Sequence, residues 1–189
     1  TGPQKMTPSE AFVETMVANK VKDIFGIMGS AFMDAMDIFA PAGIRLIPVV
    51  HEQGAAHMAD GYARASRQLT AANVHVAPGL GNAMGSLYNA KFSGAPVIVA
   101  AGQHSPGMAV TDPPLYDNLV AMAQPLVKWA AEVPAASQIP FYLGRAWAEA
   151  TTGRIRRRIE ADLEPARGLA DGNARLLNGT TRARDRVAS

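Results

Sequence analysis

The chain has 189 residues, of which 48% are hydrophobic, so it can bury the core of about one domain. Its formal net charge of +2 gives no electrostatic basis for nucleic-acid binding, and the lack of cysteine excludes disulfides, zinc–thiolate sites and thiol nucleophiles. Because no apolar run approaches the roughly 20 residues that span a bilayer and no signal-peptide core is present, we expect a cytoplasmic protein without a membrane partner.

Helical and strand patterns alternate along residues 1–152. Thr7-Pro8-Ser9-Glu10 is a capping box with proline at the first helical position, which predicts a helix to about Lys20. Strands are then predicted at 21–27, 45–50, 71–76 and 96–101, and helices at 31–39, 52–66, 82–92 and 137–152. This alternation predicts βαβ units in an open, mostly parallel α/β sheet with helices on both faces.

A change in composition at Gly153 marks a domain boundary. Residues 1–152 hold 9 Lys and Arg against 11 Asp and Glu, whereas residues 153–189 hold 9 Arg, no Lys and 5 acids. We therefore expect one domain at 1–152, followed by an Arg-rich tail at 153–189. The tail is expected to be disordered, partly helical around residues 155–163, or translated out of frame; a solvated basic helix is the alternative.

Polar residues follow three of the predicted strands. Ser30 and Glu52 lie just beyond a predicted strand and His75 lies at the end of one, where parallel α/β sheets bind ligands, so we expect all three on loops at one sheet edge. Each has a simpler explanation: Ser30 as a helix cap, Glu52 as an acid favoured by the helix dipole, and His75 as a structural histidine.

Glycines follow the third of these strands. Gly79-Leu80-Gly81 is predicted to be a tight turn before a helix that starts at Asn82. The segment is a poor dinucleotide fingerprint, because Met84 occupies the position of the third glycine.

The segment HEQGAAHMADGYARAS, residues 51–66, resembles the signature of the pyrimidine-binding domain of thiamine diphosphate-dependent enzymes. The resemblance extends over residues 5–152. Residues 5–66 are similar to sulfoacetaldehyde acetyltransferase, and residues 67–152 are similar to benzoylformate decarboxylase and related 2-oxoacid enzymes.

This resemblance implies specific roles for the residues at the strand ends. Glu52 would be the catalytic acid that hydrogen-bonds the aminopyrimidine ring of the cofactor and activates it. His75 would relay protons beside the reacting carbon, and Ser30 would contact the substrate carboxylate. Four residues would shape the pocket around the cofactor without holding its diphosphate: Pro78, Gly79, Gly81 and Asn82.

The other half of such a site is expected outside this chain. In the family a second domain binds the diphosphate and Mg²⁺ through a Gly-Asp-Gly segment and a later asparagine. We interpret Asp171-Gly172-Asn173 as a chance match, so no metal ligand is assigned to this sequence. The resemblance therefore implies a homo-oligomer, or a partner chain that carries the diphosphate-binding domain.

The expected function is that of the N-terminal domain of an incomplete enzyme. Its substrate would be a small molecule, either a 2-oxoacid or sulfoacetaldehyde. The reaction would be carbon–carbon bond cleavage, or acetyl transfer that forms acetyl phosphate and sulfite. Two alternatives stay open: a non-catalytic remnant or interaction subunit with this fold, and a nucleotide-binding α/β domain.

Overall fold

A computed structural model describes residues 5–152 of the chain. Four strands form one sheet in the order β2-β1-β3-β4: β1 (Asp23–Gly26), β2 (Arg45–Pro48), β3 (Thr70–Val74) and β4 (Val97–Ala101). Every neighbouring pair is parallel. The predicted open α/β sheet is therefore confirmed, and the carboxyl ends of all four strands lie along one edge. The predictions for the Arg-rich tail fall outside the described residues.

Six α-helices accompany the sheet in the described part of the chain: α1 (Pro8–Ala18), α2 (Met33–Phe39), α3 (Glu52–Ser66), α4 (Val76–Ser93), α5 (Leu119–Ala123) and α6 (Ile139–Thr151). The predicted capping box starts α1, with the Glu10 amide donating to Thr7 Oγ1 at 3.2 Å and the Thr7 amide to Glu10 Oε2 at 2.7 Å. None of these helices is long and apolar enough to cross a membrane.

Alternate residues of the strands pack against helices on opposite faces of the sheet. Ile24 and Ala71 join a core cluster with Val13 of α1 and Phe39 of α2. Phe25 and Ala72, the next residues along β1 and β3, pack instead against Ala55 and Ala59 of α3. Successive side chains of a strand point to opposite faces of the sheet, so β1 and β3 contribute to the cores on both faces. Apolar strands predict such a sheet, with helices on both faces.

Helix α3 lies close to the sheet and to α4 because its inner face is made of alanine. Ala55, Ala56, Ala59 and Ala63 are each at most 1% exposed. Small side chains let the backbone of α3 approach its neighbours closely. The prediction of this helix from Glu52 to Ser66 matches the structure at both ends.

The predicted turn at Gly79-Leu80-Gly81 is wrong, because these residues belong to α4. The helix begins at Val76, directly after His75, which is extended and acts as its N-cap residue. Glycine suggests a turn when only sequence is available, but within a helix it also lets another group approach closely. Here Gly79 is buried against Glu52 of α3, and this packing outweighs the low helix propensity of glycine.

A polar network joins the opposite, amino-terminal ends of β1 and β2. The carboxylate of Asp23, which is 5% exposed, accepts a hydrogen bond from Arg45 Nε at 2.7 Å. Burial opposes ionisation of Asp23, but hydrogen bonds from the Tyr62 hydroxyl and from Arg45 outweigh it and hold the pKa of this carboxyl below its usual value. The network therefore stabilises the charged carboxylate between β1, β2 and α3.

Substituting Asp23→Asn should make stability less dependent on pH. Because the pKa of Asp23 is lowered in the folded state, its ionised form stabilises the fold at neutral pH, and this contribution is lost as the pH falls through that pKa. The unfolding free energies of the parent and the variant, from urea denaturation of the full chain, should differ at pH 7 and converge below about pH 4. Asp37→Asn, at an exposed site on α2, is the control and should give no such convergence. A difference in unfolding free energy between the parent and Asp23→Asn that stayed the same at every pH would contradict the role of the network.

Candidate functional site

The three predicted side chains lie beyond the carboxyl ends of three neighbouring strands. Ser30 begins a 3-10 turn, Ser30–Phe32, after β1. Glu52 is the first residue of α3, after β2, and His75 follows β3 directly. The structure therefore places all three at one edge of the sheet, although Glu52 lies in the first turn of a helix and not in a loop.

Glu52 is a buried carboxylate, with only 7% of the residue exposed. Its Oε2 accepts a hydrogen bond from Nδ2 of Asn82, at 3.0 Å, across the contact between α3 and α4. The positive end of the α3 dipole also favours a carboxylate at this position. Before it, exposed His51 caps α3 by accepting the Gln53 amide on Nδ1 at 3.3 Å. Glu52 is thus fixed by its helix and by α4.

Because Gly79 has no side chain, there is space beside it for the other carboxylate oxygen of Glu52, Oε1. A Cβ added at Gly79 would lie 2.7 Å from Glu52 Oε1 and 3.1 Å from its Cδ, too close for any side chain to fit without displacing the carboxylate. Of the other residues predicted to shape the cofactor pocket, Asn82 bonds Glu52, whereas Pro78 and Gly81 are exposed on the same part of α4.

Two further hydrogen bonds fix α4 against α3. Ser86 Oγ donates to the Gln53 carbonyl at 2.9 Å, and Ser93 Oγ donates to the buried carboxylate of Asp60 at 2.7 Å. Together with the bond from Asn82, they join the two helices along most of their shared length. Because Ser86 is fully buried, a slip of one helix past the other would leave polar atoms without partners.

His75 and Ser30 line a cavity beside the start of α4. The cavity has a volume of about 190 Å³ and is also lined by Ala31, Val76, Gln103, His104 and Leu115. The His75 ring lies against Gly29, where an added Cβ would overlap it. Its Nδ1 is buried and has no hydrogen-bond partner among the described residues. A buried, unbonded ring nitrogen is costly in a purely structural histidine, so it favours a functional role.

Gln103 and His104 are site residues that the sequence did not predict. They lie just beyond the carboxyl end of β4, as Ser30 and His75 lie beyond those of β1 and β3. The same rule, that ligands bind at the carboxyl ends of parallel strands, could have found them. The segment that contains them lacks a regular hydrophobic period, and this concealed them.

Two of the five non-glycine residues with positive φ in the described part of the chain line this cavity. Val76 has φ of +49° and Leu115 has φ of +72°, a region that bulky side chains rarely adopt. The two lie side by side, because the Ala77 amide donates to the Leu115 carbonyl at 3.3 Å. Strain of this kind persists where surrounding structure enforces it, which is typical of functional sites.

Residues 6–122 match the family model described as thiamine pyrophosphate enzyme, N-terminal TPP binding domain. The chain belongs to this family. Thiamine pyrophosphate is another name for thiamine diphosphate, so the resemblance identified from the sequence is confirmed. Because the chain belongs to this family, the alternative of an unrelated nucleotide-binding α/β domain is excluded.

The relatives include several activities. Over 98 residues, or 52% of this chain, the sequence is 64% identical to a sulfoacetaldehyde acetyltransferase from Castellaniella defragrans. It is 34% identical over 141 residues, or 74% of this chain, to a benzoylformate decarboxylase from Pseudomonas aeruginosa. The crystal structure of benzoylformate decarboxylase from Polynucleobacter necessarius is similar over 77% of this chain, with a TM-score of 0.72 and 29% identity.

This chain corresponds to only part of these proteins. It spans 16% of the acetyltransferase, 26% of the P. aeruginosa decarboxylase and 27% of the decarboxylase crystal structure. Within residues 5–152, no group of three or more His, Asp or Glu side chains could hold a metal ion. The geometry around Glu52 nevertheless fits the pyrimidine end of the cofactor, since a buried carboxylate lies over a glycine at the edge where ligands bind.

Gly79→Ala should destabilise the chain, whereas Gly85→Ala in the same helix should stabilise it. The Cβ at position 79 would displace the Glu52 carboxylate, at an overpacking cost of about 1 to 3 kcal/mol. A Cβ at position 85 meets no atom within 4 Å, so the better helix propensity of alanine should add about 0.5 to 1 kcal/mol. Urea denaturation measures both effects.

The side-chain amide of Asn82 reports on the carboxylate itself. Its NMR resonances should move in Gly79→Ala and stay in place in Gly85→Ala, because only the first change disturbs the bond to Glu52. Equal stability of the two variants, with unmoved Asn82 resonances in both, would contradict this packing.

Proposed function

We propose that residues 5–152 bind the aminopyrimidine end of thiamine diphosphate and that Glu52 is the acid that activates the cofactor. The observation that supports this most strongly is the position of Glu52. It is a buried carboxylate at the carboxyl edge of the sheet, fixed by Asn82 and facing Gly79. A carboxylate that served only to start a helix would gain more from lying in water.

The two carboxylate oxygens would have different tasks. Asn82 Nδ2 bonds Oε2, which fixes the orientation of the group. Oε1 is the oxygen beside Gly79, and we assign it the proton shared with a pyrimidine ring nitrogen. Burial keeps water from competing for this proton. When bound, the cofactor supplies the electron sink needed to cleave or form a bond next to a carbonyl group.

The cavity beside α4 would receive the substrate. His75, with its buried Nδ1, would move a proton to or from the reacting group, and the Ser30 hydroxyl would hold the substrate acid group. The relatives include a sulfoacetaldehyde acetyltransferase and a benzoylformate decarboxylase. We therefore propose a 2-oxoacid or sulfoacetaldehyde as substrate, with carbon–carbon bond cleavage or acetyl transfer forming acetyl phosphate and sulfite as the reaction.

The complete enzyme would need a second domain. The chain spans about a quarter or less of its curated relatives. We propose that Mg²⁺ and the diphosphate are bound by a domain outside these 189 residues, in the cytoplasm. That domain would belong to another copy of a longer chain or to a separate partner chain.

The test uses a chimera in which residues 1–152 are joined to the remaining domains of the C. defragrans acetyltransferase. Glu52→Gln keeps the size of the side chain and removes its acid. Exchange of the thiazolium proton of the bound cofactor, followed by NMR in deuterated water, should slow by about 10²- to 10⁴-fold. Cofactor affinity should change much less, because charge-assisted diphosphate contacts are the stronger ones.

Two other variants complete the experiment. Glu14→Gln, at an exposed position on α1, should leave proton exchange unchanged. His75→Ala should slow turnover but leave the exchange nearly intact, since its proposed partner is the substrate. Exchange at the parent rate in Glu52→Gln would show that Glu52 only starts a helix. An assembled chimera that bound no cofactor would favour the non-catalytic remnant.

A further inference from the structure

Part of the cavity wall, at Gln103, His104 and Leu115, belongs to a segment held in one conformation by its own polar groups. Gln103 Nε2 donates to the Asp117 carbonyl at 2.9 Å, and the amide of His104 donates to Gln103 Oε1 at 3.0 Å. His104 Nε2 lies 3.1 Å from the Pro114 carbonyl oxygen. These bonds join the two ends of the segment 103–117 and position the imidazole of His104 at the cavity.

The bond to Pro114 determines which nitrogen of His104 can meet a ligand. A carbonyl oxygen only accepts, so Nε2 must carry the hydrogen in this bond. Nδ1 forms no hydrogen bond with any described residue. In the protonated ring, Nδ1 is a donor that can bind an anion while Nε2 keeps its bond to Pro114.

The polar lining of the cavity favours an anion. Its polar side chains are one hydroxyl, one amide and two imidazoles, from Ser30, Gln103, His75 and His104, and no carboxylate lines it. Helix α4 is 18 residues long, and the positive end of its dipole lies at Val76. The volume of about 190 Å³ is below the roughly 300 to 1,000 Å³ of pockets for drug-sized ligands, so a compact ligand fits best.

We propose that His104 is a substrate-binding residue that holds the acid group of a small carboxylate in the cavity that it shares with His75. The proposal rests on the proposed function, and it adds a specificity-determining contact from the segment 103–117. With Ser30 alone the acid group would have a single assigned donor, because His75 is assigned to proton transfer. With His104, two imidazoles face one cavity, so that one can bind the anion while the other lies beside the reacting carbon.

The absence of cysteine allows a direct test on the full chain without any cofactor. Bromopyruvate carries a carboxylate and a reactive bromomethyl ketone, and bromoacetone is its uncharged counterpart. An unprotonated imidazole nitrogen attacks the bromomethyl carbon, an N–C bond forms as bromide leaves with the C–Br electron pair, and the ring proton passes to solvent. Four histidines are present in the sequence, and mass spectrometry of peptides gives the rate at each one.

His51 serves as the internal reference because it is exposed and does not line the cavity. At His75, the ratio of the bromopyruvate rate to the bromoacetone rate should exceed the ratio at His51 by at least about tenfold. This is the expected effect of one charge-assisted hydrogen bond. Added pyruvate should protect His75 from bromopyruvate.

The decisive variant is His104→Gln, since glutamine retains an amide donor for the Pro114 carbonyl and removes the second ring nitrogen. The ratio at His75 should fall to that at His51. His104→Phe, which keeps a ring without nitrogens, should give the same result, and circular dichroism verifies that both variants fold. His57→Gln, at an exposed site on α3, is the matched control and should leave the ratio at His75 unchanged.

Two results would overturn the proposal. Equal ratios at all histidines of the parent would show that the cavity does not select an anion. A high ratio at His75 that persists in both His104 variants would show that another group binds the anion. Neither result bears on proton exchange by Glu52, so this proposal and the proposed function can fail separately.

Discussion

The hydrogen bond between Asn82 and Glu52 is the contact on which the candidate site depends. It joins the first turn of α3 to the first part of α4, and its two residues are 30 positions apart in the sequence. The packing around it explains several unusual choices of residue. Alanines on α3 let the helices approach each other, Gly79 leaves space for the carboxylate, and hydrogen bonds from two serines fix the helices in register. Without this arrangement Glu52 would be a solvated acid at a helix start.

The parallel sheet places the residues of the candidate site close to this helix contact. Because β1, β2, β3 and β4 run the same way, the residues that follow them lie at one edge. Ser30 and His75 line one cavity with Gln103 and His104, and Glu52 lies at the same edge of the sheet. The Asp23 network stabilises the opposite ends of β1 and β2, so the polar groups that secure the sheet are separate from those of the candidate site. Strained backbone occurs beside the cavity, at Val76 and Leu115.

The sequence predicted the fold and the position of Glu52 because both depend on local patterns. A capping box, alternating apolar periods and an alanine-rich helix each act over a few residues, and the predicted α3 agrees with the structure. The start of α4 was wrong because glycine permits both a turn and close helix packing, and only the position of Glu52 in space decides between them. Gln103 and His104 escaped prediction because hydrogen bonds spanning 10 to 14 residues define their segment. The roles of Ser30, Glu52 and His75 stay predictions.

A crystal structure of the chimera with thiamine diphosphate bound would show whether the Glu52 carboxylate faces the cofactor. We expect one Glu52 carboxylate oxygen within about 2.5 to 3.2 Å of a pyrimidine ring nitrogen, a hydrogen-bond distance. The other oxygen should still accept the bond from Asn82. A pyrimidine ring bound away from Glu52, or a Glu52 side chain turned toward solvent in the bound state, would contradict the proposed role of Glu52.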